Sequence, residues 1–299
     1  MSDQVAVLVA DRPRGLFGDA WHALRRRLLF WASLAMIALV LLMAAFPALF
    51  TSGDPNEALL SRSRGGPSAA AWFGYDNQGY DVYARVVHGT RASVVVGVLS
   101  TIGVVLTGAT VGLLAGFHGG LLDAVVSRVA DVFVGVPFVL GAIVILTTLN
   151  PGGDAGPARI VAQVVLSISV LSWPVAMRIT RSTAIAAKQQ DYVKAARALG
   201  ASPRRIIGKH LLPNCVAPVL VYATIALGAF IGAEATLSYL GIGLRQPVVS
   251  WGVMINSAKD YVRVAPHALL FPAGFLTATV LAFVMLGDAV REALDPKLR

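Results

Sequence analysis

Few side chains in this sequence are placed to carry out a reaction. The five histidines are scattered singly and Cys215 is the sole cysteine, so no metal-ligand cluster is spelled out and no internal disulfide can form. Gly208-Lys209 has the look of a phosphate-binding loop. However, Pro203 stands five residues earlier, where a glycine is required, and His210 stands where a serine or threonine must follow. HExxH, GxSxG and GxGxxG patterns are absent. Three carboxylates, Asp131, Glu234 and Asp288, lie within or beside long apolar runs, where a charge is costly and is a functional candidate by default. One further segment, Asp191–Asn214, carries chemistry of recognition rather than catalysis.

Its local physics is legible. Ala195–Leu199 is strong helix former, and Gly200 suits the left-handed residue that ends many helices. Ser202 is a good N-cap and Pro203 is favoured at a first helical position. The reading is helix, sharp turn, short helix, then Pro213 near the start of the next apolar run. Such a helix–turn–helix is a rigid protrusion whose Ala and Gly residues allow close approach by a partner. On these signals alone, a plain connector is about as good a reading.

The elements that position this segment follow from composition. Of the 299 residues, 56% are hydrophobic and 14% charged, with mean hydropathy +0.70. A soluble globule has too little interior for that much apolar side chain. Six charge-free runs are long enough to span a bilayer as helices: Leu28–Phe50, Ala92–Phe117, Val132–Gly153, Ile160–Met177, His210–Ala233 and Val264–Gly287. Asn150-Pro151-Gly152-Gly153 is a turn signal, and Pro174 predicts a kink in the fourth run. Gln246–Ala258 is too short to span and reads as an interfacial or re-entrant segment. Asp81–Arg91 has the pattern of a short interfacial helix. The first run follows Arg25-Arg26-Arg27, but it is too long for a signal peptide and is taken as an anchor. About two thirds of the lysines and arginines fall on one side if both termini are cytoplasmic, which sets the expected orientation. The net charge of +9 thus reflects topology and is no sign of nucleic acid.

The loop's spacing resembles the coupling loop of ABC-importer permeases: Glu-Ala-Ala, three residues, Gly, nine residues, Ile, one residue, Leu-Pro. Ala195, Ala196, Gly200, Leu212 and Pro213 fall in register, whereas Lys194 replaces the Glu and His210 the Ile. Gly74–Val82 with Arg85, Gly89 and Arg91 is similar to the segment before the second span in the dipeptide/oligopeptide permease subfamily, with Tyr75 and Tyr80 departing from its usual Thr and Arg. So are Ala115–Gly120 with Asp123, then Arg128, Asp131 and Pro137, then Ala233–Gly241, Ser250–Gly252, and Leu286–Asp288 through Pro296. The likeness covers roughly residues 20 to 299 and points to the C-type rather than the B-type permease.

The resemblance implies an all-α membrane protein with six transmembrane helices and the type I ABC importer permease fold with cytoplasmic coupling helices. Its parts would be a cytoplasmic tail at 1–27, an anchor helix at 28–50, an outer loop at 51–91, a five-helix core at 92–290 containing the coupling loop at 188–213, and a tail at 291–299. The chain would work in a bacterial plasma membrane, in contact with lipid, with a second homologous permease, two cytoplasmic ATPase subunits or domains and an extracytoplasmic substrate-binding protein. It would import dipeptides or oligopeptides and bind no cofactor or metal; ATP and Mg would be used by the ATPases. Coupling would fall to Asp191, Lys194, Ala195, Ala196, Leu199, Gly200, Ala201, Ser202, Pro203 and Arg204. Glu234, Trp173, Met177 and Tyr239 are candidates for the substrate pathway, with Glu234 meeting a peptide's amino group or an Arg of the second permease. Asp76, Asn77, Asp81, Arg85 and Trp251 are candidates for an outer gate or binding-protein contact. Other cargoes (nickel chelates, glutathione, haem, short sugars) stay open, since specificity rests largely on the binding protein. An ion-driven carrier would need relay residues at span centres, which are charge-free here, and a non-transporting scaffold is the remaining alternative.

Overall fold

The computed structural model describes residues 24–149 and 156–294, with the backbone alone at Leu294. The expected tails, including Leu294-Asp295-Pro296, and the Asn150–Gly153 turn lie wholly or partly outside the described residues. The described elements are α1 (Leu28–Ala45), α2 (Val82–His118), α3 (Gly120–Gly135), α4 (Phe138–Leu149), α5 (Pro157–Lys188), α6 (Asp191–Ala198), α7 (Pro203–Ile206), a π-helical turn (Ile207–Leu211), α8 (Leu212–Tyr239), α9 (Trp251–Ala258) and α10 (Pro266–Leu294). Among the described residues, five helices are long and apolar enough to cross a membrane, and the bent pair α3–α4 makes a sixth if counted as one span.

The third run is not the continuous helix that its apolar composition predicts. It breaks at Val136 and Pro137, and α3 and α4 meet at 94°. Proline disfavours helical backbone in the residue before it, and Val136 is extended (φ −80°, ψ 121°). Asp81–Arg91 is likewise no separate interfacial helix. It forms the first turns of α2, whose N-cap is Asp81: its Oδ1 accepts from Tyr83 N at 2.8 Å and Ala84 N at 3.1 Å. The first helix stops at Ala45 rather than Phe50, ahead of a 3₁₀ turn at Pro47–Leu49. Pro174 sits inside an unbroken α5.

α2 is the central helix. It runs parallel to α5, and Gly108, Gly112 and Gly116 form the seam. A Cβ at Gly108 would lie 2.6 Å from Trp173 O, one at Gly112 2.3 Å from Met177 O, and one at Gly116 2.9 Å from Arg181 O. Backbones approach this closely only where side chains are absent. On its other flanks α2 meets α8 and α1, while α10 packs between α1 and α8. Gly228 is also a close-packing position, 2.9 Å from Phe283 Cβ, whereas Gly232 has only Val280 Cγ2, at 3.9 Å.

Charged side chains fix the end where α2 stops. Lys188 donates to the carbonyls of Gly116 (3.0 Å) and Phe117 (2.9 Å), completing the last turn of α2. Arg181 grips Asp123 through two bonds, and Arg178 donates to Asp131 at 2.7 Å, so α3 is tied to α5. Asp131 therefore belongs to a structural pair.

At the opposite end, residues 51–81 fold into a knot of turns against α2 and α10. Short antiparallel bridges join Ala58 to Tyr80 and Tyr75 to Asp81. Phe73 stacks on Phe271 with centroids 3.8 Å apart, and His267 Nε2 donates to Tyr75 O at 2.9 Å. Asp76 organises the knot: Oδ1 accepts from Gln78 N and Tyr80 N, and Oδ2 accepts from Arg85 at 3.1 Å. Arg85 is buried and lies over the Tyr80 ring at 4.1 Å. Asp76→Ala strands a buried cation and is expected to cost about 3 kcal/mol. The check is limited trypsinolysis in detergent, with faster cleavage at Arg62 and Arg64 expected in the variant.

Candidate functional site

The Asp191–Ile206 segment is built as its sequence predicts. Gly200 has φ +79°, and Gly200 N and Ala201 N donate to Arg197 O and Ala196 O, both at 3.0 Å. These two bonds are the Schellman closure of α6. Ser202 sits at the N-cap of α7 with extended backbone, but no side-chain bond to that helix forms, so Pro203 and the backbone begin it. Val193 and Ile206 are fully buried beneath the turn and pack with Leu211, Ala184 and Ala187. This apolar base holds the turn to the bundle while its outer side stays open. Leu199 is 88% exposed, Tyr192 44%, and Asp191 and Lys194 pair with each other at 3.0 Å on the surface. Ser202, Pro203 and Arg204 are exposed, whereas Ala201 is partly covered. Leu199 is thus an apolar side chain held out in solvent at the closed end of α6. The π-helical turn Ile207–Leu211 then joins this protrusion directly to α8.

The other predicted residues separate. Met177 is buried against the α2 glycine seam. Trp173 is partly exposed and meets Phe133 edge-on at 5.8 Å, beside an apolar groove along α2 and α5 lined by Leu99, Ile102, Thr107 and Leu166. Tyr239 is 43% exposed under Lys259, whose ammonium is 5.6 Å from the ring centroid. Asn77 and Asp81 lie in the 51–81 knot and at the start of α2, partly covered, beside the Asp76–Arg85 pair.

Two further candidates are fully buried. Trp251 is not at an outer surface: it is fully buried, and its Nε1 donates to Val86 O at 3.1 Å. Glu234 forms no salt bridge with an arginine among the described residues. It is fully buried and accepts from three hydroxyls: Ser93 (3.0 Å), Ser238 (2.7 Å) and Ser250 (2.9 Å). Ser93 and Ser250 are the residues sequence reasoning missed. Ser250 is marked only as part of the Ser250–Gly252 resemblance and not as a partner of Glu234, and Ser93 is 141 positions from that partner.

Residues 108–299 match the family described as the binding-protein-dependent transport system inner membrane component, and residues 15–67 match the N-terminal TM domain of oligopeptide transport permease C. The chain belongs to this permease family. It is a permease subunit of an ABC importer and not an enzyme. Among its relatives, the dipeptide transport system permease protein DppC of Alkalihalophilus pseudofirmus is 35% identical, over 94% of this chain and 90% of that protein. The oligopeptide transport system permease protein OppC of Bacillus subtilis is 34% identical over 97% and 93%. The glutathione transport system permease protein GsiD of Pectobacterium atrosepticum is 36% identical over 88% and 86%. A solved structure of the MetNI methionine ABC transporter in an inward-facing conformation superposes with TM-score 0.57 at 20% identity, covering 71% of this chain and 96% of that one. The type I permease fold is therefore shared.

Proposed function

We propose that the chain is one of two unlike permease subunits of a peptide importer, lines half of the translocation pathway, and takes its power from a cytoplasmic ATPase docked on the Asp191–Ile206 protrusion. The observation that carries this reading is the closed turn at Gly200. It presents Leu199, Tyr192 and the Asp191–Lys194 pair on a rigid base continuous with α8. An ATPase cleft that receives this turn moves α8 as it moves. Nucleotide then biases the spans between two arrangements, one open to each side. The chain carries no nucleotide-binding motif of its own, so ATP and Mg belong to the partner subunits. Both termini lie on the cytoplasmic side with the protrusion. The 51–81 knot then faces outward, where Asn77 and its neighbours meet a substrate-binding protein.

Peptide cargo follows from relatives named for dipeptide and oligopeptide transport. The glutathione permease relative, similar at the same level, supports a second reading in which the cargo is that single tripeptide. The test is mass spectrometry of what co-purifies with the tagged chain from native membranes in mild detergent. A second permease, ATPase chains and a binding protein holding a peptide are expected. Glutathione in that binding protein selects the second reading. Recovery without any ATPase rejects both.

A further inference from the structure

The cage around Glu234 has more order than a buried acid needs. Its three serines come from different elements: Ser93 from α2, Ser238 from α8 and Ser250 from the N-cap of α9. Each hydroxyl that donates to the carboxylate also receives a backbone N–H. Trp251 N donates to Ser93 at 3.3 Å, Leu244 N to Ser238 at 2.9 Å and Val253 N to Ser250 at 3.2 Å. One carboxylate thus connects two spans, the connection after α8 and the first turn of α9. Trp251 Nε1 adds a bond to Val86 O, and Asn256 Nδ2 one to Ser238 O at 3.2 Å. Gly252 leaves no room at this joint, since a Cβ there would lie 2.6 Å from Ala235 Cα. The site is about 33 Å along α8 from Leu212, at the far end of the bundle from the protrusion.

We propose that Glu234 is a positioning residue that touches no cargo: it pins the short helix α9 to α2 and α8, so that all three travel as one body through the transport cycle. Opening the pin would strand a buried carboxylate and three buried hydroxyls, a cost that falls on every turnover if α9 had to part from α2. The closing surfaces of the pathway therefore lie outside this joint. This inference rests on the importer reading for its transport readout, and on the fold alone for its structural one.

A covalent replacement for the pin tests it. A Cβ at Gly89 would lie 3.4 Å from Val249 Cγ1, so side chains at these two positions meet, and they are the cysteine pair chosen to link α2 to the segment before α9. The background is Cys215→Ala, which removes the sole natural thiol. Two measurements are made on the assembled transporter in lipid vesicles: hydrogen exchange of residues 244–258, and ATP-driven uptake of radiolabelled dialanine. Glu234→Ala is expected to lose protection at the Leu244, Trp251 and Val253 amides and to lose at least nine tenths of uptake. Adding oxidised Gly89→Cys/Val249→Cys is expected to restore both. In the otherwise native chain the same bridge is expected to leave uptake unchanged. If the bridge alone blocks uptake, α9 must part from α2 and the inference is wrong. Restored protection without restored uptake gives Glu234 a chemical role and also overturns it. If the native transporter fails to take up dialanine, the dipeptide reading fails, while unchanged protection in Glu234→Ala would still reject the pin by itself.

Discussion

Gly112→Ala is expected to separate α2 from α5 and to be among the most damaging single-methyl additions in the chain. The new Cβ would lie 2.3 Å from Met177 O and 3.1 Å from Arg181 N. Both are backbone atoms of a helix that cannot rotate aside, so the two helices must move apart. The displacement spreads along the seam to Gly108 and Gly116, where the backbones of α2 and α5 are also in contact. It also pulls on Lys188, which reaches from α5 to the last carbonyls of α2, and on Arg181, which holds α3. Overpacking of this kind costs on the order of 1–3 kcal/mol, and the rigidity of both partners places this site at the upper end. The measurement is the thermal unfolding midpoint of the purified complex in detergent. Gly232→Ala is the matched control. It sits in the same four-residue glycine spacing, with Gly228, but has only Val280 Cγ2 at 3.9 Å, so it should lose nothing and gain a little helix propensity. Equal midpoints for the two variants would show that glycine spacing, and not the α2–α5 seam, was being read.

That contrast marks how far the sequence could be followed. Charge-free runs located every long helix among the described residues, because a bilayer demands length and apolarity from each span separately. The turn at Gly200 was legible for a similar reason: its determinants are all within a few residues, and the backbone there closes as they require. The errors fall where a distant partner decides. Asp81–Arg91 reads as interfacial because it mixes polar and apolar residues, yet Arg85 is buried within α2 by Asp76 and Tyr80. The third run looked continuous because Gly135 and Pro137 do not interrupt an apolar count, although they break the helix geometrically. Nothing in the chain near Trp251 and Glu234 announces the partners that meet them in the interior, Val86 and Ser93. An intramembrane carboxylate does mark a special site, but its type alone does not separate a cargo ligand from a structural hub.

The second large effect is expected at Gly200, and it should have the opposite signature to Gly112. Gly200→Val introduces a β-branched side chain at φ +79°, a conformation that costs an ordinary residue roughly 1–2 kcal/mol and a β-branched one more. There is no clash, because a Cβ at Gly200 meets nothing within 4 Å. The penalty is purely one of backbone conformation, and the cheapest response is to surrender the closure made by Gly200 N and Ala201 N. α6 and α7 then change their relative direction, and Leu199 moves from the position in which the turn presents it. The bundle beneath, held by Val193, Ile206 and Leu211, has no reason to change. The unfolding midpoint of the chain should therefore stay near that of the unmodified protein, while ATP-driven uptake of dialanine by the reconstituted transporter falls at least tenfold. ATP hydrolysis should persist, since the ATPases keep their own catalytic groups and lose only their lever. Gly208→Ala provides the comparison within the same loop. Gly208 has neither positive φ nor a close neighbour, so that variant should take up dialanine normally. Full uptake by Gly200→Val would mean that the protrusion tolerates a redirected turn, and the lever would then have to be sought in the π-helical connection to α8.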